Sequence, residues 1–141
     1  MRTYVYPATF EPGENPDVVV VSFADIPEAV TEGEGEADAR MQASEALGLA
    51  LLAYLRGNRP LPAAGKGEIM IAPPADIVAK IAVIETFRNS GLTRVEIARR
   101  IGRDEKVVRR ILDPMHTTDL STLSAALNAM NARLVIGVEA A

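Results

Sequence analysis

Within "VVVVSFADIPEAVTEGEGEADARMQASEAL", Val18 to Leu47, Glu32, Glu34, Glu36 and Asp38 place four carboxylates in seven residues. Carboxylates hold divalent metals in phosphodiester hydrolysis, so metal-dependent cleavage is the first chemistry to weigh. Two-metal catalysis needs ligands converging from separate elements on ions about 3.5–4 Å apart. These four are local neighbours at the start of a helical pattern, and the earlier "RTYVYPATF" holds no Asp, Glu or His. The cluster therefore reads as a solvated acidic surface. Glu36 and Asp38 complement the positive end of a helix dipole, and the whole can meet a basic partner electrostatically. The chain has no cysteine, which excludes disulfides, thiolate zinc sites and cysteine nucleophiles. His116, the single histidine, follows a helical stretch in a loop and reads as a hydrogen-bonding residue or phosphate contact, not a base. No catalytic residue, metal or cofactor is expected.

The second chemistry lies in "TRVEIARRIGRDEKVVRRIL", Thr93 to Leu112. A helix-turn-helix needs a small residue where two helices press together, a turn residue free to take positive φ, and apolar seats for the second helix. Ala98 is the small residue, Gly102 the turn, and Ile97, Ile101, Val108 and Ile111 the seats. Burying those seats turns Lys106, Arg109 and Arg110 outward, with Asp104 and Glu105 near the helix start. Such a face can enter a major groove and meet guanine edges or phosphates. Thr93, Arg94 and Arg103 complete the expected DNA-binding set. Arg103 stands where such motifs usually carry an apolar residue, and its position suits a phosphate contact.

Two units must position these groups. Residues 1–72 carry five Lys/Arg against eleven Asp/Glu, whereas residues 73–141 carry ten against eight, under a net charge of -4. Arg88 to Arg110 alone holds eight basic and three acidic groups. An acidic unit joined to one with a basic patch predicts two partners of opposite character. In the first unit, alternation in "RTYVYPATF" predicts a strand, "EPGENPD" a hairpin turn, and "VVVVSF" a strand buried on both faces. A short strand at Ala29 to Thr31 and a helix from Gly35 to Gly57 follow. The run from Ala46 to Leu55 is free of charge, which predicts that a second face of this helix is covered. "EIMIA" closes the unit as a strand and "PPAD" marks the boundary, giving domains 1–72 and 73–141.

In the second unit, Ile77, Ile81, Ile84 and Phe87 stripe one helix that Gly91 stops. Thr93 and Glu96 form a Thr-x-x-Glu cap, with Leu92 and Ile97 placed as a staple. Leu120, Leu123, Leu127 and Met130 stripe the last helix. "RLVIGV" ends the chain as a strand. Its backbone groups need a partner, either the first unit's sheet or the same strand of a second copy. Pairing between copies makes Leu134, Val135, Ile136 and Val138 the dimerisation residues and sets two reading helices about 34 Å apart. The fold class is α+β. Nothing in the N-terminal residues or the longest apolar runs predicts a leader or a membrane span.

The residues now resemble a known family. "YPATFEP" followed by "VSFADIPEAVTEGEGEADARMQASEAL" is similar to the N-terminal domain of HicB-type antitoxins, through Tyr6, Pro7, Ala8, Phe23, Asp25, Pro27, Thr31, Gly33, Glu34, Glu45, Ala46 and Leu47. "RRILDPMHTTDLSTLSAAL" and the closing "RLVIGV" resemble the helix-turn-helix variant of that family. Ala24, Glu28 and Gly35 depart from its pattern. The resemblance implies a partial RNase H-like sheet with one covering helix, which binds and blocks a small cognate mRNA interferase toxin. Tyr4, Tyr6, Phe23, Asp25, Glu32 and Glu34 are the implied toxin-binding candidates. It also implies that the C-terminal unit, as a homodimer or higher even oligomer in the cytoplasm, represses its own operon by binding operator DNA. Two other readings stand beside it: a transcriptional regulator whose first unit senses a small molecule through Tyr4, Tyr6 and Tyr54, and a metal-dependent nuclease.

Overall fold

The computed structural model describes residues 1–140, which fall into two compact units divided between Val78 and Ala79. Unit 1 contains strands β1 (Tyr6–Pro7), β2 (Thr9–Pro12), β3 (Val18–Ser22) and β4 (Thr31–Glu34), helix α1 (Gly35–Arg56) and strand β5 (Met70–Ile71). Helix α2 (Ala75–Ser90) begins in unit 1 and continues into unit 2, which adds α3 (Arg94–Ile101), α4 (Glu105–Ile111) and α5 (Leu120–Ala129).

The expected first strand is a single run that changes partner at Ala8. β1 pairs antiparallel with β5, Tyr6 opposite Ile71, and β2 pairs antiparallel with β3, Thr9 opposite Ser22. The Ala8 amide donates to the Ile69 carbonyl at 2.9 Å, and the Gly13 amide to Val18 at 2.8 Å on the other edge. Successive amides of a strand point to opposite edges. Pro7 therefore lacks a donor only where β3 has not yet begun to pair, and Pro12 lacks one on the outer edge, which it protects from further pairing.

β3 is the middle of β2-β3-β4, with Val19 opposite Gly33 and Val20 opposite Glu32. Opposed residues share a face. Gly33 faces α1 so closely that a Cβ there would lie 2.5 Å from the Ala39 amide nitrogen. Val19 and Val21 thus face the helix, while Val18 and Val20 share the other face with Glu11, Glu32 and Glu34. Burial of the valine run on both faces is not what forms. Only Val21 is fully buried and the other three are half-exposed, because one side of this sheet lacks a covering layer within the unit. The third strand also shifts, from Ala29–Thr31 to Thr31–Glu34. Ile26 to Ala29 is consumed by a turn in which Ala29 N–H donates to the Ile26 carbonyl at 3.0 Å.

α1 starts at Gly35, whose φ of 81° suits glycine and accounts for that residue at this point. Asp38 Oδ2 accepts from the Glu34 amide at 2.8 Å and caps the start. Ala39, Ala43, Leu47 and Leu51 form the buried stripe, and Gly48 lets the helix meet Pro74 and Ile77. The charge-free run is covered on a second face, where Gly48 meets Pro74 and Ile77 and Leu52 and Leu55 are buried, while Leu49 on the remaining face is 61 % exposed.

Unit 2 is built on Ala79, Val83, Ile97, Ala98, Val108, Ile111, Leu123, Ala126, Leu127 and Met130. The α2 face in this core is Ala79, Val83 and Phe87, not the expected isoleucine stripe, although Ile81 and Ile84 are buried too. Leu120 stays exposed and Ala126 takes its place in α5. The closing segment forms no strand. After Asn131 turns the chain at φ 59°, residues 132–140 have no regular structure and enter neither sheet. Leu134 packs on the core, and Val135, Ile136 and Val138 are exposed.

Candidate nucleic-acid and partner interfaces

In unit 2 the helical pair forms as its residues demand. Thr93 Oγ1 accepts from the Glu96 amide at 3.2 Å and donates to Glu96 Oε1, which starts α3. Gly102 takes φ 69°, and Arg103 N–H donates back to the Ala98 carbonyl at 3.0 Å. This left-handed stop turns the chain into α4. Asp104 Oδ1 accepts from the Val107 amide at 3.1 Å, so this candidate acts as the N-cap of α4. Ile97, Ala98, Val108 and Ile111 are buried as seats and Ile101 is half-buried. Arg94, Arg103, Glu105, Lys106, Arg109 and Arg110 are all exposed.

Charge around the pair is partly committed to the fold. Arg100 donates to the Ala129 carbonyl at 2.7 Å, closing the end of α5. Asp119 caps the start of α5 by accepting from Thr122 N–H at 2.7 Å and from the Ser121 hydroxyl at 3.0 Å. The Thr122 and Ser121 hydrogen bonds, with Arg103 nearby, lower its carboxyl pKa. His116 lies in the loop with Nδ1 3.4 Å from Thr118 Oγ1.

Sequence reasoning missed Lys80. It is only 4 % exposed, and its Nζ donates to the carbonyls of Arg110 (3.1 Å) and Ile111 (2.8 Å) and to Thr118 Oγ1 (2.8 Å). Burial pushes its pKa down from 10.5 to about 8, against the opposing pull of Asp113. The available signal was a lysine beside Ala79 on the helix face that closes the core.

In unit 1 the candidates separate into two groups. Tyr4, Tyr6 and Phe23 are buried within the unit. The Tyr6 hydroxyl donates to the Pro62 carbonyl at 2.7 Å, and Asp25 Oδ2 accepts from Gly65 N–H at 2.9 Å. Both tie down the segment between α1 and β5. Glu28 joins them. It accepts from the Tyr54 hydroxyl at 2.8 Å and lies 3.7 Å from Arg59, whose guanidinium sits 4.0 Å from the Tyr54 ring centroid. These bonds account for Glu28 and Tyr54, and sequence reasoning had given Glu28 no role.

The four clustered carboxylates divide as well. Asp38 caps α1 and Glu36 pairs with Arg40 at 3.1 Å. Glu32 and Glu34 are exposed on β4, on the same sheet face as Val18, Val20 and Glu11. The surface is a half-open valine strip framed by three glutamates. Among the described residues, no three His, Asp or Glu side chains are grouped so as to hold a metal. An open groove of about 390 Å³ lies between Pro7–Phe10, Ala24 and Lys66–Ile69, and none of the three tyrosines lines it. No helix among the described residues is long and apolar enough to cross a membrane.

Comparison with known proteins places this architecture. A family profile described as HicB-like antitoxin of bacterial toxin-antitoxin systems matches residues 5–82. Antitoxin HicB 1 of Photorhabdus laumondii is 34% identical over 135 residues, covering 95% of this chain and 86% of that protein. Antitoxin HicB of Escherichia coli K12 is 33% identical over 132 residues, covering 92% and 95%. Antitoxin HicB of Pseudomonas fluorescens is 32% identical over 132 residues, covering 91% and 90%. These alignments reach through α3, α4 and α5, beyond the residues the profile matches. The chain therefore belongs to the HicB-like antitoxins of bacterial toxin–antitoxin systems.

Proposed function

We propose that this antitoxin binds and neutralises a small mRNA-cleaving toxin through unit 1, and represses its own operon by binding operator DNA through unit 2. What carries the DNA half is the exposure of Lys106, Arg109 and Arg110 on a helix whose opposite side is sealed by Val108 and Ile111. Side chains so placed suit a major groove, and Thr93, Arg94 and Arg103 suit flanking phosphates. What supports the toxin half is the strip of Val18 and Val20 between Glu11, Glu32 and Glu34. An RNA-cleaving partner must itself bind a polyanion, so its basic surface complements these carboxylates while the valines supply apolar contact. Both partners place the work in the cytoplasm.

The experiment uses the full chain in two arms. Arg109→Ala and Arg110→Ala each weaken retardation of a duplex from upstream of the chain's own coding sequence. Each lowers the salt slope by ~0.9 if it removes one phosphate contact. The double variant Glu32→Lys/Glu34→Lys slows association with the toxin encoded beside it by about tenfold at low salt, with DNA binding kept. Unchanged retardation by both arginine variants rejects the assignment of α4. Undiminished toxin capture by the double variant moves the docking face elsewhere.

A further inference from the structure

We propose that Lys80 positions the second helix of the DNA-reading pair, by gathering the last carbonyls of α4 and the loop after it onto one buried ammonium. The inference rests on the DNA reading given above and adds to it the residue that fixes where α4 ends.

α4 has seven residues, Glu105–Ile111, fewer than two full turns. A helix this short is not stable alone, so tertiary contacts must hold its axis. Its start is fixed by the Asp104 cap and by the Gly102 turn. Its end leaves backbone carbonyls without helical partners. The Ile111 carbonyl accepts from Lys80 Nζ, the Arg110 carbonyl accepts from it as well as from Asp113 N–H at 3.2 Å, and the third acceptor, Thr118 Oγ1, belongs to the segment leading into α5. A lysine ammonium has three donors and no acceptor, so three donors meet three acceptors here. Positive charge at the negative end of a helix dipole adds to the hold. The carbonyl of Arg110 is thus held by Lys80 together with the Asp113 amide while its side chain projects to solvent, so Lys80 helps to fix its backbone position. Lys80 comes from α2, the helix whose Ala79 and Val83 enter the same core as Val108 and Ile111. The anchor is therefore tied to the core and not to the mobile end of another side chain.

A residue that merely fills space and one that supplies donors respond oppositely to substitution. Lys80→Met keeps an unbranched apolar stem and removes all donors, whereas Lys80→Gln is shorter but keeps two. The test measures, for each full-length variant, amide hydrogen exchange at Leu112, Asp113 and His116 and retardation of the upstream duplex. In Lys80→Met these amides exchange at least tenfold faster and the duplex is bound about tenfold more weakly, while α1 amides are unchanged. Lys80→Gln recovers a substantial part of both. Thr118→Val removes one acceptor and loosens the same amides to a smaller degree, which keeps the proposal decidable should Lys80→Met not fold. Protection in Lys80→Met equal to the parent's, or better than in Lys80→Gln, overturns the anchor. Arg109→Ala weakens DNA binding without moving the exchange rates, which separates the two readings. A parent chain that fails to retard the duplex sinks the DNA reading, and the exchange rates still decide whether Lys80 holds the end of α4.

Discussion

Carboxylates of equal charge do different work in this chain because strand and helix present them to different neighbours. Asp38 lies on the first turn of α1, where unpaired amides await an acceptor, and it takes the Glu34 amide. Glu32 and Glu34 alternate with Gly33 and face away from the helix. Gly33 is what makes that alternation possible. Its missing Cβ lets the backbone of Ala39 approach, so Gly33→Ala forces β4 and α1 apart. The expected destabilisation is ~1–3 kcal/mol, read as a lower denaturant midpoint for unit 1. Lys80 gives the residue scale a pH dependence. Its pKa of about 8 lies below the ordinary 10.5, so between those values the unfolded chain binds the proton that the folded one has lost. Stability of unit 2 must then rise with pH across that window, by on the order of 1–3 kcal/mol. Denaturant melts at pH 7.5 and 9.5 check this. The parent gains stability relative to Lys80→Met as pH rises, and a constant difference rejects the depressed pKa.

At the scale of elements, α3 shows how local signals decide a boundary. Thr93 bonds to Glu96 at one end and Gly102 turns left-handed at the other, so eight residues are held by chemistry printed in the sequence. Thr93→Ala removes the cap and lowers the stability of unit 2 by about 1 kcal/mol, seen as a shifted midpoint with an unchanged denaturant slope. The pair of helices α3 and α4 was legible for this reason: cap, small residue, glycine and seats are all local. Other parts were not. β4 was placed too early because Glu and Gly are poor strand formers, and only pairing with Val18 to Val21 makes them one. Lys80 was invisible because its three acceptors lie 30 or more residues away and two of them are backbone carbonyls. Tyr4, Tyr6 and Phe23 are candidates through the family resemblance alone, and the residues themselves do not show their burial because aromatic side chains serve cores and interfaces alike. Their burial assigns them to the core.

At the scale of the whole molecule, the closing segment bears on how many copies act together. Val135 and Ile136 are 57% and 64% exposed and Val138 is 99% exposed, in a stretch of strand-forming residues with no partner strand in either sheet. A second copy about a two-fold axis offers this segment an identical edge with which to pair its backbone. Pairing of this kind joins two copies of unit 2 and lets their α4 helices address half-sites one DNA turn apart, about 34 Å. Ile136→Lys tests this without touching either proposed binding face. In an antiparallel two-fold pair, residues near the axis meet their own copies, so the substitution brings like charges together as it removes apolar contact. Sedimentation velocity then shows a smaller species than the parent at the same concentration. Duplex binding falls by roughly 10²-fold or more as the second half-site is lost, while association with the toxin through unit 1 is unchanged. An undiminished oligomer with full DNA affinity would mean that the copies meet elsewhere, and that Leu134 to Val138 serve only to finish the core of unit 2.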